Sequence, residues 1–164
     1  MSNSKPTRRQ PDSPELIFLR ADKKWKSGAL RSAFRLFLAA ARRGDRASQL
    51  NVGYFYDQGI GVRRNRDAAL RWYKRAYRRG DASAAINIGT IWRDENDLRR
   101  ALSWFERARK LGDGSSNLEI AKAYLRKGDP VRAVDYLNSV CRSDRVTEGE
   151  MEQAKRLLKR IKKG

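Results

Sequence analysis

Small and bulky apolar residues return along this chain in one helical cadence. Ala33, Leu36, Phe37 and Ala40 stand at i, i+3, i+4 and i+7. The same spacing recurs as Ala69, Trp72, Tyr73 and Ala76, as Ala101, Trp104, Phe105 and Ala108, and as Ala133, Tyr136, Leu137 and Val140. Such spacing gathers each quartet on one face of a helix. Small residues at the ends of a bulky pair let a second helix come close. That second helix is written just ahead of the later quartets: Val52, Gly53 and Tyr56, then Ile88, Gly89 and Trp92, then Ile120, Ala121 and Tyr124. Ala21, Asp22 and Trp25 make a poorer version of it ahead of the first quartet. The pattern predicts a succession of helix pairs.

The connections repeat too. "RRGD" occupies residues 42–45 and 78–81, and "KLGD" residues 110–113, so the aspartates are separated by 36 and then 32 residues. That is the length of a helix-turn-helix repeat. Glycine suits the left-handed position just past a helix, and aspartate caps the positive end of the next one. Asp45, Asp81 and Asp113 are therefore read as caps, not as catalytic acids. After the last quartet, Thr147 and Glu150 have capping-box spacing, and Ala154, Leu157, Leu158 and Ile161 form one apolar face. This predicts a terminal helix that covers the last repeat, as an array of repeats requires.

Residues 46–81 resemble a Sel1-like repeat, a relative of the tetratricopeptide repeat. The resemblance is carried by Ala47, Val52-Gly53, Tyr56, Gly59-Ile60-Gly61-Val62, Asp67, Ala69, Trp72-Tyr73, Ala76 and Gly80. Elsewhere the fit is looser: Tyr56 to Ala69 spans 13 residues, but Trp92 to Ala101 and Tyr124 to Ala133 span 9, which resembles ordinary tetratricopeptide spacing. The resemblance implies an all-α fold, a right-handed α-solenoid of about four antiparallel helix pairs plus a C-terminal capping helix. The expected organisation is a flexible basic lead over residues 1–14, repeats over 15–146 (15–45, 46–81, 82–113 and 114–146), and the capping helix over 147–164. Gly59-Ile60-Gly61 beside Arg63 and Arg64 could in principle cradle a phosphate. It follows a helix, though, and lacks the strand and the closing Lys-Ser/Thr of a Walker loop. It is read as the corner between the two helices of a repeat, with Val62 packed beneath.

Composition narrows the function classes. Thirty-eight Lys and Arg against 19 Asp and Glu give a formal charge of +19, which favours acidic proteins, nucleic acid or anionic surfaces as partners. The chain has no histidine and one cysteine, Cys141, so the usual zinc sets and Ser-His or Cys-His catalysis cannot be assembled. No cofactor is expected and no enzyme activity. The lone thiol suits a reducing compartment. There is no apolar run long enough for a membrane span or a signal sequence, so the expected location is cytoplasmic. The acids Asp94, Glu95 and Asp97 suit turn and cap roles.

Two surfaces remain as candidates. The repeat register implied by the resemblance points the first helix of each pair toward a concave wall, presenting Lys23 and Lys26, Tyr54, Asp57 and Gln58, Arg93, and Lys122 and Arg126, with Ser27, Thr90, Asp94 and Leu125 beside them. Arg and Lys in such a groove would bind carboxylates of an acidic segment. The expected function is a non-catalytic protein–protein interaction module, an adaptor or scaffold that exists as monomer or weak homodimer. The other surface is a stripe on the second helix of residues 46–81, with Arg71, Lys74, Arg75 and Arg78 at i, i+3, i+4 and i+7. Its alternative reading is a nucleic-acid (RNA or DNA) backbone-binding helical repeat. The positive excess lies toward the N-terminal half: residues 46–81 hold 9 basic and 3 acidic side chains, residues 82–113 only 6 and 5.

Overall fold

A computed structural model describes residues 12–163; residues 1–11, which hold most of the expected basic lead, lie outside the described residues. The described residues form nine helices and no strand: α1 (Pro14–Lys26), α2 (Leu30–Arg42), α3 (Arg46–Gln58), α4 (Arg66–Arg78), α5 (Ala82–Asp94), α6 (Leu98–Lys110), α7 (Ser116–Arg126), α8 (Pro130–Cys141) and α9 (Glu148–Ile161). Helices pack mainly on their neighbours in sequence, α1 on α2, α3 on α4, α5 on α6 and α7 on α8, and each pair stacks on the next. Contact between non-consecutive helices occurs where α5 meets α7. Both are first helices of their pairs, the contact expected where first helices line the inner side of an array.

The helix ends follow from the sequence. Asp45 accepts a hydrogen bond from the Ser48 N–H at 2.6 Å, Asp81 from Ala84 at 3.0 Å and Asp113 from Ser116 at 2.9 Å. Each satisfies a backbone donor that the first turn leaves unpaired. Asn65, Asp97 and Asp129 do the same for α4, α6 and α8. Ahead of these caps, Gly44 and Gly80 have φ of 93° and 83°, where a side chain would be strained. Their geometry lets the N–H of Asp45 reach back to the Ala40 carbonyl and that of Asp81 to Ala76, closing the helix ends.

Three members of each quartet lie inside, and the other, Leu36, Trp72, Trp104 or Tyr136, is partly buried at the edge. Ala33, Phe37 and Ala40, Ala69, Tyr73 and Ala76, Ala101, Phe105 and Ala108, and Ala133, Leu137 and Val140 are fully buried. Fully burying a side chain such as Phe37 stabilises by about 1.5–3 kcal/mol relative to leaving it in water. The glycines of the first helices have a steric reason. A Cβ on Gly53 would lie 2.5 Å from the Tyr73 ring, and one on Gly89 would lie 2.5 Å from Cδ1 of Phe105. The backbone of α3 rests on one aromatic face and that of α5 on another. Trp25, from the weakest version of the pattern, still serves as the aromatic of its helix and packs edge-on against Phe37 and Phe55.

The Gly59–Gly61 segment is a corner. Gly59 ends α3 in the left-handed conformation, Ile60 and Val62 pack against the α1–α3 core, and Gly61 abuts the Leu30 backbone at the start of α2. Arg64 turns back to donate to the Asp57 carbonyl at 2.7 Å. The capping box of α9 is complete: Thr147 Oγ1 accepts from the Glu150 N–H, and Glu150 accepts from the Thr147 N–H at 2.8 Å. Ala154 is buried against α7 and α8, with Leu157, Leu158 and Ile161 beside it. Tyr136 ties α8 to α6 by donating to Glu106 at 2.9 Å; burial, and then this hydrogen bond, push its phenol above the ordinary value.

Candidate functional site

The inner surface is built from exposed positions of α1, α3, α5 and α7 and divides into two parts. At the N-terminal end, Asp22, Trp25 and Lys26 line a shallow cavity of about 300 Å³. Lys26 pairs with Asp22 at 2.6 Å, one helical turn away, and Lys23 is exposed beside it. Tyr54 of α3 is 38% exposed and tilts against Trp25, with ring centroids 6.1 Å apart. Gln58 is exposed and donates to Asp57 at 3.1 Å. Asp57 is only 9% exposed, so it presents little surface to a ligand. Gln58 and Arg64 both bond to it, an enclosure that repeat register alone does not reveal.

The C-terminal part brings more of the expected residues together. Arg93, Asp94, Lys122 and Arg126 line a cavity of about 410 Å³. Glu119 lies between two of the cations: it pairs with Arg93, and with Lys122 at 2.7 Å. Arg126 crosses to α5 by donating to the Arg93 carbonyl at 3.1 Å, and leaves its remaining donors to solvent. An adjoining crevice of about 440 Å³ is walled by Leu125, Arg126, Leu157, Arg160 and Ile161. Arg126 belongs to both. A cationic shelf and an apolar slot thus share one guanidinium, an arrangement suited to a carboxylate next to an apolar side chain.

Glu119 and Arg160 have no role in the sequence pattern, and Leu157 and Ile161 enter it as part of a lid and not of the groove. Glu119 stands three residues before Lys122, and that spacing was its one available signal. The apolar face of α9 was recognised as a lid, but some of it also forms the outer wall of the crevice. The acids Asp94, Glu95 and Asp97 are all engaged: Asp94 with Arg93, Glu95 with Arg66 and Asp97 with Arg100. The backbone N–H of Arg100 holds the Asp97 carboxyl below its usual value, as its capping role demands. Cys141 is half-buried against the α7–α9 core. Among the described residues no group of His, Cys, Asp and Glu could hold a metal, and no helix is long and apolar enough to cross a membrane.

The basic stripe lies on the opposite side. Arg71, Lys74, Arg75 and Arg78 are all exposed on α4. Arg75 lies over the Trp72 ring at 4.6 Å, and Arg78 donates to the Lys74 carbonyl at 3.2 Å.

The Sel1 repeat pattern matches residues 30–45, 46–81 and 84–113, together half of the chain. The chain belongs to the Sel1 repeat family. Each matched stretch ends on a Gly-Asp corner described above, and the first begins with α2, leaving α1 outside the match. A Sel1 repeat protein from Oxalobacter formigenes has the same fold, with a TM-score of 0.65 and 26% identity over 78% of this chain and 58% of its own. A protective antigen of uropathogenic Escherichia coli with an SLR fold gives a TM-score of 0.65 at 22% identity, over 79% of this chain and 30% of its own. A thermophilic TPR protein of Thermus thermophilus reaches 0.70 at 16% identity, over 91% and 83% of the respective chains. This chain therefore spans 58% and 30% of the first two. No curated protein matches it. These likenesses make the fold a right-handed helical-repeat solenoid of the Sel1 and TPR kind. Sel1 and TPR-like repeats generally mediate protein–protein interactions and are typically non-catalytic.

Proposed function

We propose that this Sel1 repeat protein is a non-catalytic adaptor that holds an acidic segment of another protein in its inner groove. The observation that carries the reading is the joined site at the C-terminal end, where Arg93, Lys122 and Arg126 adjoin the slot of Leu125, Leu157 and Ile161. A ligand segment would place an apolar side chain in the slot and a carboxylate on Arg126, the cation of the trio that no described carboxylate neutralises. Charge-assisted bonds to that guanidinium supply orientation, the slot supplies dehydration, and the net charge of +19 speeds encounter. Lys23, Lys26, Tyr54 and Gln58 extend the same wall toward the other end and would meet a longer segment. Nothing in this reading needs a cofactor.

The test is selection from a displayed library of random peptides on the full chain at physiological salt. Enriched peptides should carry Asp or Glu next to Leu, Ile or Phe. Arg126→Glu should lower their affinity by about tenfold or more, the loss of one charge-assisted contact plus repulsion. Enrichment indifferent to acidic residues, or binding untouched by Arg126→Glu, would refute the assignment.

A further inference from the structure

The outer side of the array has a cleft that the groove does not account for. Tyr77 of α4 and Trp104 of α6 form its floor, their rings meeting edge to face with centroids 5.2 Å apart. Lys74, Arg78 and Arg107 form its rim, around a cavity of about 360 Å³. Arg71 and Arg75 prolong the α4 row, and the Arg107 guanidinium stands over the Trp104 ring, 4.5 Å from its centroid.

No compensating acid is paired with this rim, and here the unpaired cations surround an aromatic floor. Arg93, Lys122, Arg100, Arg109 and Arg132 each have a carboxylate partner. Among the described residues Arg71, Lys74, Arg75, Arg78 and Arg107 have none within 4.0 Å. The one acid of α4, Asp67, stands a turn ahead of Arg71 at the start of the row and forms no ion pair with it within 4.0 Å. Cations at i, i+3 and i+4 repel one another across each turn. The helix tolerates that repulsion because its other face is fully buried, and a ligand that removes it gains the difference.

The geometry also limits what the ligand is. The cations repeat about once per helical turn, roughly 5.4 Å, along a straight row. The floor between the rows is aromatic. A single nucleic-acid strand offers both complements, a regular run of phosphates and flat bases that stack on aromatic rings. An acidic peptide matches the rim but brings a flat group only where it carries an aromatic residue, whereas every nucleotide carries one, and a duplex keeps its bases inside. We propose that the α4–α6 cleft binds single-stranded nucleic acid, with phosphates on Lys74, Arg78 and Arg107 and a base against Tyr77 and Trp104. The site is separate from the inner groove and stands or falls without it.

The test uses the full chain and a fluorescein-labelled, mixed-sequence RNA strand of about a dozen nucleotides, read by anisotropy across about 50–200 mM salt. The double reversal Lys74→Glu, Arg78→Glu should weaken binding at least tenfold. It should also reduce the slope of log K against log salt by about 1.4, two phosphate contacts on a single strand. Tyr77→Ala should weaken binding by about tenfold at unchanged slope, the loss of one stacked base. Circular dichroism checks that each variant is folded, and the exposed Lys74 and Arg78 pair keeps the test valid should Tyr77→Ala unfold. Lys155→Glu, Arg156→Glu on α9 carries the same charge change outside the cleft and should leave most of the affinity. Equal loss from that control, no loss from the Lys74 and Arg78 reversal, tighter binding of the duplex, or displacement of the strand by charge-matched polyglutamate would each overturn the proposal. The last would mark the cleft as a site for acidic protein.

Discussion

Replacing Gly89 by alanine tests the packing principle of the whole array. In an ordinary helix interior this change stabilises by about 0.5–1 kcal/mol, because alanine loses less backbone entropy on folding. Here the new Cβ would stand 2.5 Å from Cδ1 and 3.0 Å from Cζ of Phe105. Carbon atoms prefer about 3.5–4.0 Å, so ring or helix must retreat by roughly 1 Å. Phe105 is fully buried and has no open space to enter. Overpacking of this kind costs about 1–3 kcal/mol, occasionally more, and several ring atoms clash at once. The upper end applies, and after the helix-propensity gain the net loss should be about 2 kcal/mol. For a chain of this size that lowers Tm by about 4–8 °C.

The fourth pair supplies an internal control, for there the glycine position is Ala121 and the ring position is Leu137, both fully buried. Gly89→Ala combined with Phe105→Leu reproduces that arrangement. The double variant should be more stable than the sum of the two single losses by at least about 1 kcal/mol, measured by urea denaturation. Gly149→Ala, at a helical glycine with open space around it, should be neutral or stabilising by up to about 1 kcal/mol. If Gly89→Ala is as stable as the parent, or the cycle shows no coupling, the contact between α5 and the Phe105 ring is not what demands a glycine.

Other outcomes follow from single groups. The Tyr73 hydroxyl is buried without a hydrogen-bond partner, so Tyr73→Phe should be neutral or stabilising by about 1 kcal/mol in the same denaturation assay; a loss of that size would mean the hydroxyl is satisfied. Asp81→Ala removes the cap on Ala84 and should destabilise by about 1 kcal/mol, with Asp81→Asn losing less. Burial raises the phenols of Tyr73 and Tyr136 above 10.0 in the folded chain. The unfolded chain therefore loses these protons first as pH rises. Their contribution is complete below a pH of about 10 and is lost as pH climbs through the folded values. Tm recorded from about pH 8 to 12 should fall less steeply in Tyr136→Phe than in the parent; identical profiles would refute the assignment.

Sequence reasoning reached the fold because the repeat constrains neighbours that are close along the chain. The quartets, the capping aspartates and the Thr147–Glu150 box each act within one helix or one turn, and all take their expected places. It reached less of the surface, where contacts join residues a whole repeat apart. Glu119 meets Arg93 at a separation of 26 residues, a distance set by how one pair stacks on the next. The partnership of Tyr77 with Trp104 depends likewise on how far apart successive second helices stand. Asp57 shows the converse: its position along α3 points to the wall, but it is only 9% exposed. Periodicity reports direction around a helix. It does not report how closely the neighbouring helix lies.

That distinction changes how the net charge of +19 bears on binding. On the inner wall Lys26 pairs with Asp22, Arg93 with Asp94 and Glu119, and Lys122 with Glu119. A carboxylate arriving at those cations must compete with acids already in place, which leaves Arg126 as its partner. The slot of Leu125, Leu157 and Ile161 shares in selection, and with one free guanidinium the affinity should fall only modestly with salt. On the outer side the row from Arg71 to Arg78 and Arg107 has no such competitor among the described residues. An anion arriving there gains the full attraction and relieves repulsion within α4, so its affinity should fall steeply with salt. The row on α4 with Arg107 is thus one place where several unpaired cations stand together. Salt dependence separates the two surfaces even before any ligand is identified.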